Sequence, residues 1–358
     1  MIFRTFGWSF AITVVGLIAG FLYGGASALA VVAILAVLEI SLSFDNAVVN
    51  AKVLQRMSPF WQKIFLTIGI AIAVFGMRLV FPIVVVALTA QMSPWATLDM
   101  AFNEPDRYHA EMEFAYPMIA AFGGMFLMML FLNWVFEDRD IHWLAWLEKP
   151  LLRIGKLEQL PVVIAGATLA CVGTWVADDA HRTNVLIAGL LGIVTYILVN
   201  GLGELFNNPE LTEEESSKGP NGLVLATGKA GFFLFLYLEV LDASFSFDGV
   251  IGAFAISTDP IIIAIGLGVG AMYIRSMTVF LVRQGTLSEF KYLEHGAHWA
   301  IGALAVCMMI SIGHHLSEWI TGGIGAGLII LALISSIILR KRDGVAASDA
   351  EELESSRL

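Results

Sequence analysis

Long apolar runs separated by short polar connections dominate the chain. A helix needs ~20 mostly apolar residues to cross the hydrocarbon core of a bilayer. Such runs fall near 7–25, 27–50, 63–89, 114–136, 161–177, 184–203, 230–256, 259–282, 297–317 and 321–340. They predict an all-α, polytopic transmembrane helical bundle of about 9–10 helices. Gly24-Gly25 and Ser257-Thr258-Asp259-Pro260 suit tight reversals between neighbouring helices, since Gly permits the turn and Pro opens the next helix. Arg4, the apolar run 10–22 and Ala26-Ser27-Ala28 imitate a secretory signal with its cleavage site. An internal repeat, described below, gives this segment a counterpart deep in the chain, so it reads as a retained helix.

Composition agrees. Of 358 residues, 58% are hydrophobic and 14% charged, and the mean hydropathy is +0.80. A soluble domain carries roughly a quarter charged residues. The formal charge of -11 is concentrated in polar segments such as 210–215 and 349–352 and reads as solvated acidic loops rather than a surface for a basic partner. Nothing implies nucleic acid. Cys171 and Cys307 both lie in apolar runs, so neither a disulfide framework nor a thiolate metal site is indicated.

Lysine and arginine in short loops favour the cytoplasm. Lys52, Arg56 and Lys63, then Arg139, Lys149, Arg153 and Lys156, then Arg283 and Lys291, then Arg340-Lys341-Arg342 all fall on one side of a ten-helix chain. Both termini are therefore expected in the cytoplasm of a bacterial inner membrane protein, with the acidic segment 91–113 on the far side. The expected organisation is a first membrane repeat at 1–177, a second at 184–340 with an acidic cytoplasmic loop at 204–229, and a disordered cytoplasmic tail at 341–358.

The repeat is explicit. Glu39-Ile-Ser-Leu-Ser-Phe-Asp45 and Asp242-Ala-Ser-Phe-Ser-Phe-Asp248 match at an offset of 203 positions, followed by Asn46 in one copy and Gly249 in the other. Gly69 to Arg78 and Gly266 to Arg275 extend the match, each with Gly nine residues before Arg. The two motif helices are five spans apart and so cross the membrane in opposite directions, an inverted repeat. In secondary transporters of that design, substrate and ion sites lie near the midplane between the halves.

A charged side chain at membrane depth costs at least ~2.5 to 3.5 kcal/mol, and such groups normally face a cavity. Glu39, Asp45, Glu239, Asp242 and Asp248 lie at that depth, with Arg78 and Arg275 as charge-balancing partners in neighbouring helices. Five acids against two arginines leave an excess of three negative charges, which calls for a bound cation or for protonation. Asn46, Ser43 and Ser246 add amide and hydroxyl oxygens, and Asn50 is a further candidate. A donor set of oxygens suits Mg²⁺, Ca²⁺ or Mn²⁺. Acids six apart on a regular helix point about 120° apart, so either the acids serve different surfaces or both motif helices are broken at the serine-rich stretch; the broken helix is the favoured reading.

Weaker candidates are the His314, His315 and Glu318 group, read as an interfacial cap; Asp178, Asp179 and His181, read as a solvated turn; and Met125, Met128 and Met129, read as packing. Trp8, Trp61, Trp134, Trp143 and Trp319 read as interfacial anchors.

At Ser43-Phe44-Asp45-Asn46-Ala47-Val48 and Ser246-Phe247-Asp248-Gly249-Val250-Ile251 the sequence resembles the TerC family of integral membrane proteins, named for tellurium resistance and including Alx-type manganese exporters. The resemblance extends through both Gly-to-Arg segments. It implies metal-ion efflux, with Mn²⁺ the favoured cargo, and it carries Glu39, Asp45, Asp242 and Asp248 over as the ion site. The segment 91–113 and an extra helix pair near the middle depart from that pattern and mark a divergent branch.

Three readings follow. The first is a secondary exporter of a divalent cation, not an enzyme and without a resident cofactor. The second is an intramembrane enzyme using Asp45 and Asp248 as a dyad. The third is an accessory membrane subunit in metal or tellurite stress. No glycine-rich phosphate loop followed by Lys-Ser or Lys-Thr occurs, so a gradient is the expected energy source.

Overall fold

The computed structural model describes residues 2–69, 71–155, 157, 159–206, 225–257, 259–284, 290–314, 316 and 318–355. The described chain begins with α1 (Ile2–Leu42), α2 (Phe44–Gln55), α3 (Pro59–Ile64), two π-helical segments (Phe65–Gly69 and Ile72–Val80), α4 (Phe81–Thr89) and α5 (Pro94–Asn103). It continues with α6 (Pro105–Phe136), α7 (Ala145–Ile154), α8 (Leu160–Trp175), α9 (Arg182–Phe206), α10 (Gly228–Ile256), α11 (Pro260–Gln284), α12 (Leu293–Ser311) and α13 (Glu318–Ser355). The protein is an all-α polytopic bundle. Seven of the described helices are long and apolar enough to cross a membrane, or eight if α4 and α5, bent by 107°, form one span.

The sequence predicts about ten spans, and the remaining runs fall on the elements as follows. The runs at 7–25 and 27–50 share the apolar stretch Thr5–Ile40, which folds back on itself. The run at 161–177 becomes α8, with 16 residues. The run at 230–256 is α10, which at 29 residues is long enough to span.

The fold-back in α1 occurs where the sequence places it. Gly24 has φ -137° and ψ 19°, and Gly25 has φ 71° and ψ -156°, a conformation that strains any residue with a Cβ. Gly20 and Val32 would be ~18 Å apart on a straight helix. Instead, a Cβ on Gly20 would lie 3.0 Å from Val32 Cγ2. Helix α11 packs on both arms. A Cβ on Gly16 would meet Val269 Cγ2 at 2.6 Å, and one on Gly266 would meet Leu35 Cβ at 2.5 Å. Small residues permit such close backbone approach where hydrophobic driving force between helices is absent.

Helix α6 is the buried centre of the other half. Its Phe122 carbonyl lies 2.2 Å from where a Cβ on Gly192 of α9 would be, and its Gly124 faces Met309 of α12. Met125, Met128 and Met129 are buried in the largest apolar cluster, with Phe126 and Leu127. Packing is therefore their role.

Basic connections gather at one end of the bundle. Ser58 N donates to Ala226 O at 3.0 Å and Ala226 N donates to Arg56 O at 2.8 Å. Lys52 pairs with Glu294, and Trp134 Nε1 also donates to that carboxylate. The C-terminal end of the acidic segment 204–229, at Ala226, thus lies beside a basic loop; 207–224 are outside the described residues.

Several expectations are corrected. The tail read as disordered continues α13 to Ser355. Trp61 packs on Phe232 and Phe235. Trp134 is buried and stacks on His298 at 4.4 Å. Trp8 is 72% exposed. Asp178, Asp179 and His181 do form a turn, with His181 N donating to Asp178 O and Asp179 paired with Arg182. His315 and the side chains of Glu318 and Trp319 lie outside the described residues.

Candidate functional site

The first motif is carried by the end of α1 and the start of α2. Between them Ser43 leaves helical geometry, with φ -102° and ψ 13°, although Ser43 N still donates to Glu39 O at 3.0 Å. The helix is thus broken between Glu39 and Asp45. The second motif is not broken: α10 runs continuously from Gly228 to Ile256. Within it Ser244 turns its hydroxyl onto Val240 O at 2.9 Å, four residues back along the helix.

The two motif helices run antiparallel. Asn46 Nδ2 donates to Asp242 Oδ1, while a Cβ on Gly249 would lie 3.0 Å from Glu39 Oε2. As the first motif ascends from 39 to 46, its partner descends from 249 to 242. Asp242 is the counterpart of Glu39 and Gly249 the counterpart of Asn46 at the repeat offset of 203 positions. Each copy's first acid therefore faces the other copy's eighth position, the arrangement expected of halves related by a two-fold axis.

A small cavity of about 30 Å³ lies along this seam. Glu39, Ser43, Asn46, Asn50 and Asp242 supply its polar wall. Glu39 is fully buried, and Ser43 Oγ donates to its Oε1 at 2.8 Å. Asn46, Asn50 and Asp242 are also buried. The opposite wall comes from α11, through Ala271, Ile274, Arg275 and Thr278, and from the π-helical segments, through Phe65, Leu66, Gly69, Ala73 and Val74. A π-helix is rare and tends to mark functional positions. Here its Leu66 carbonyl accepts from Arg275 Nε at 3.0 Å.

The sequence-predicted residues divide accordingly. Glu39, Ser43, Asn46, Asp242 and Arg275 meet at the cavity. Glu239 is buried but is not among the lining residues; its Oε1 lies 2.5 Å from where a Cβ on Gly69 would be. The side chains of Asp45, Arg78, Ser246 and Asp248 lie outside the described residues. The π-helical wall and Thr278 were not legible in the sequence, since an extra residue per turn leaves no periodic signature in an all-apolar run.

Glu39 lies beside Gly249 and Asp242 beside Asn46, and both acids line the one cavity. Among the described residues, no group of three or more His, Cys, Asp or Glu is placed to hold a metal ion. Chemically, the arrangement is a small cavity lined by carboxylate, amide and hydroxyl oxygens, a donor set suited to hard cations.

A family model described as Protein of unknown function (DUF475) matches residues 44–343 of the chain. No curated protein and no solved structure matches it.

Proposed function

Because the chain belongs to the DUF475 family, described only as of unknown function, its activity must be argued from its own residues, and we propose a secondary transporter that exports a divalent cation. Mn²⁺ is the favoured cargo. The observation that carries this reading is the pair of buried carboxylates, Glu39 and Asp242, brought to one intramembrane cavity by antiparallel copies of the same motif. Buried acids at membrane depth normally serve ions or protons, and antiparallel repeats place such sites at the interface between halves. The donors are carboxylate, amide and hydroxyl, which suits a hard cation. The resemblance to the TerC family supports the same class of cargo and the outward direction.

Location in a bacterial inner membrane with both termini in the cytoplasm belongs to this proposal. It is supported by the basic connections that gather at one end of the bundle. A transmembrane gradient is the proposed energy source.

The test is flux of Mn²⁺ into proteoliposomes of the purified chain, with Ca²⁺, Mg²⁺ and Zn²⁺ compared, with and without a pH gradient. Asp242→Asn and Glu39→Gln are expected to abolish Mn²⁺ movement while the protein still inserts. Transport at the native rate by either variant would show that the substituted acid is not part of the path.

A further inference from the structure

The connection between α6 and α8 carries α7 (Ala145–Ile154) and holds it at the end of the bundle from both of its ends. At its start, Trp299 Nε1 of α12 donates to Glu148 Oε1 at 3.1 Å, and His295 Nε2 donates to Ile141 O at 2.8 Å. At its finish, a Cβ on Gly155 would lie 2.8 Å from the Cβ of Phe136, the last residue of α6. The two tethers share one level. Trp134 of α6 stacks on His298 of α12 at 4.4 Å, so the end of α6 lies beside the first two turns of α12, itself long and apolar enough to span. Trp299 is six residues from the start of that helix, ~9 Å of rise. Held at both ends beside the first turns of a span, α7 lies across the membrane boundary.

Its two sides differ. Glu148 is fully buried, and Gly155, seven residues on, packs against Phe136, so both mark the inner side. At ~100° per residue, Trp146, Lys149, Pro150 and Arg153 point the other way, and all four are exposed. Trp146 is 76% exposed, and the exposed Ile154 and Leu157 continue the same side. Glu148 is the one acid of α7, and its charge is turned inward onto three donors. Lys149 and Arg153 therefore stand four apart on one face that carries no acid, a like-charge spacing that destabilises a helix. An anion relieves it. Indole and aliphatic side chains interleaved with bases suit the headgroup boundary, where the apolar groups enter the acyl region and the bases stay level with the phosphates.

We propose that this face of α7 binds anionic phospholipid, with Lys149 and Arg153 on the headgroup phosphate and Trp146, Ile154 and Leu157 among the upper acyl chains. Glu148 takes no part in the lipid contact; it positions the helix by fixing its inner side to α12. Inorganic phosphate would answer the two bases but leave Trp146, Ile154 and Leu157 in water, which is why a lipid is the occupant. The inference needs only that the chain lies in a membrane and is independent of the cargo of the cavity.

The experiment counts lipids retained by the purified full chain, by native mass spectrometry from micelles holding equal phosphatidylglycerol and phosphatidylcholine, with the melting temperature of each variant recorded. Wild type is expected to retain phosphatidylglycerol in preference. A basic residue near an anionic surface is worth about fivefold in affinity, so Lys149→Gln and Arg153→Gln should each lower the preference by that factor and the double variant by roughly 25-fold. Lys149→Arg should keep it. Lys63→Gln, at an exposed base of α3, is the control and should leave it unchanged. Trp146→Ala should weaken retention of both lipids alike.

No preference in wild type, or an undiminished one in the double variant, would overturn the assignment. An equal fall in Lys63→Gln would also overturn it, because the preference would then belong to the whole basic end. Displacement of phosphatidylglycerol by inorganic phosphate at equal concentration would overturn the lipid as occupant, and unchanged retention in Trp146→Ala would overturn the acyl contact. Should the double variant melt below wild type without lipid, Lys149→Arg against Lys149→Gln decides, since only the charge-keeping change should retain phosphatidylglycerol.

Discussion

Arg275 on α11 donates its Nε to the carbonyl of Leu66 at 3.0 Å, across 209 positions of sequence. That carbonyl belongs to a π-helical segment, where the wider turn misaligns the backbone ladder and leaves oxygens available to outside donors. The guanidinium therefore does two things at the cavity wall: it contributes positive charge near Glu39 and Asp242, and it pins the π-helical segment to α11. Arg275→Met is expected to cost ~1.5 to 3 kcal/mol, the range for a hydrogen bond to a charged group. Hydrogen exchange should quicken selectively at the backbone amides of 65–76. Unchanged exchange there would show that the bond does not hold the segment.

A second expectation concerns the glycine contact between α6 and α9. A Cβ at Gly192 would lie 2.2 Å from the Phe122 carbonyl oxygen, a backbone atom that no side-chain rotation can move aside. Gly192→Ala should force the helices apart and cost ~1 to 3 kcal/mol. Gly166→Ala, at a position with nothing within 4 Å, serves as the control. The thermal midpoint in detergent should fall for the first and hold for the second.

The connection between α6 and α7 depends on one carboxylate. Glu148 is fully buried and accepts from Trp143 N at 3.2 Å, Leu144 N at 3.3 Å and Trp299 Nε1 at 3.1 Å. Glu148→Leu removes the acceptor from three donors at once. Since each buried donor left unpaired costs ~1 to 3 kcal/mol, a loss of at least ~2 kcal/mol is expected. Limited proteolysis should then cut within 137–144, and intact resistance there would argue against the anchoring role.

Sidedness gives a further check. Cysteines placed at the exposed positions Glu137, Asp140 and Lys291 should react with an impermeant maleimide from one side of the membrane, and those at Asn103 and Asp179 from the other. The positive-inside pattern assigns the first group to the cytoplasm. Labelling of both groups from the same side would refute the arrangement.

The sequence by itself determined the solvent of this protein, its helical class and its internal symmetry. Lipid leaves backbone groups no partner but their own helix, so apolar runs translate directly into helices, and Gly24-Gly25 could be read as a reversal because only Gly adopts the backbone conformation found at Gly25 at low cost. The repeated acids were legible for the same reason: at membrane depth a carboxylate is too costly to be incidental. Tertiary structure decided which residues meet. It brought Glu39 and Asp242 to one cavity, withdrew Glu239 from it, broke the first motif at Ser43 and left the second continuous. It also turned an apolar run into a π-helical wall held by Arg275. These outcomes depend on the register between antiparallel helices and on the carbonyls a neighbouring side chain can reach. Neither quantity is encoded in the periodicity of any single segment.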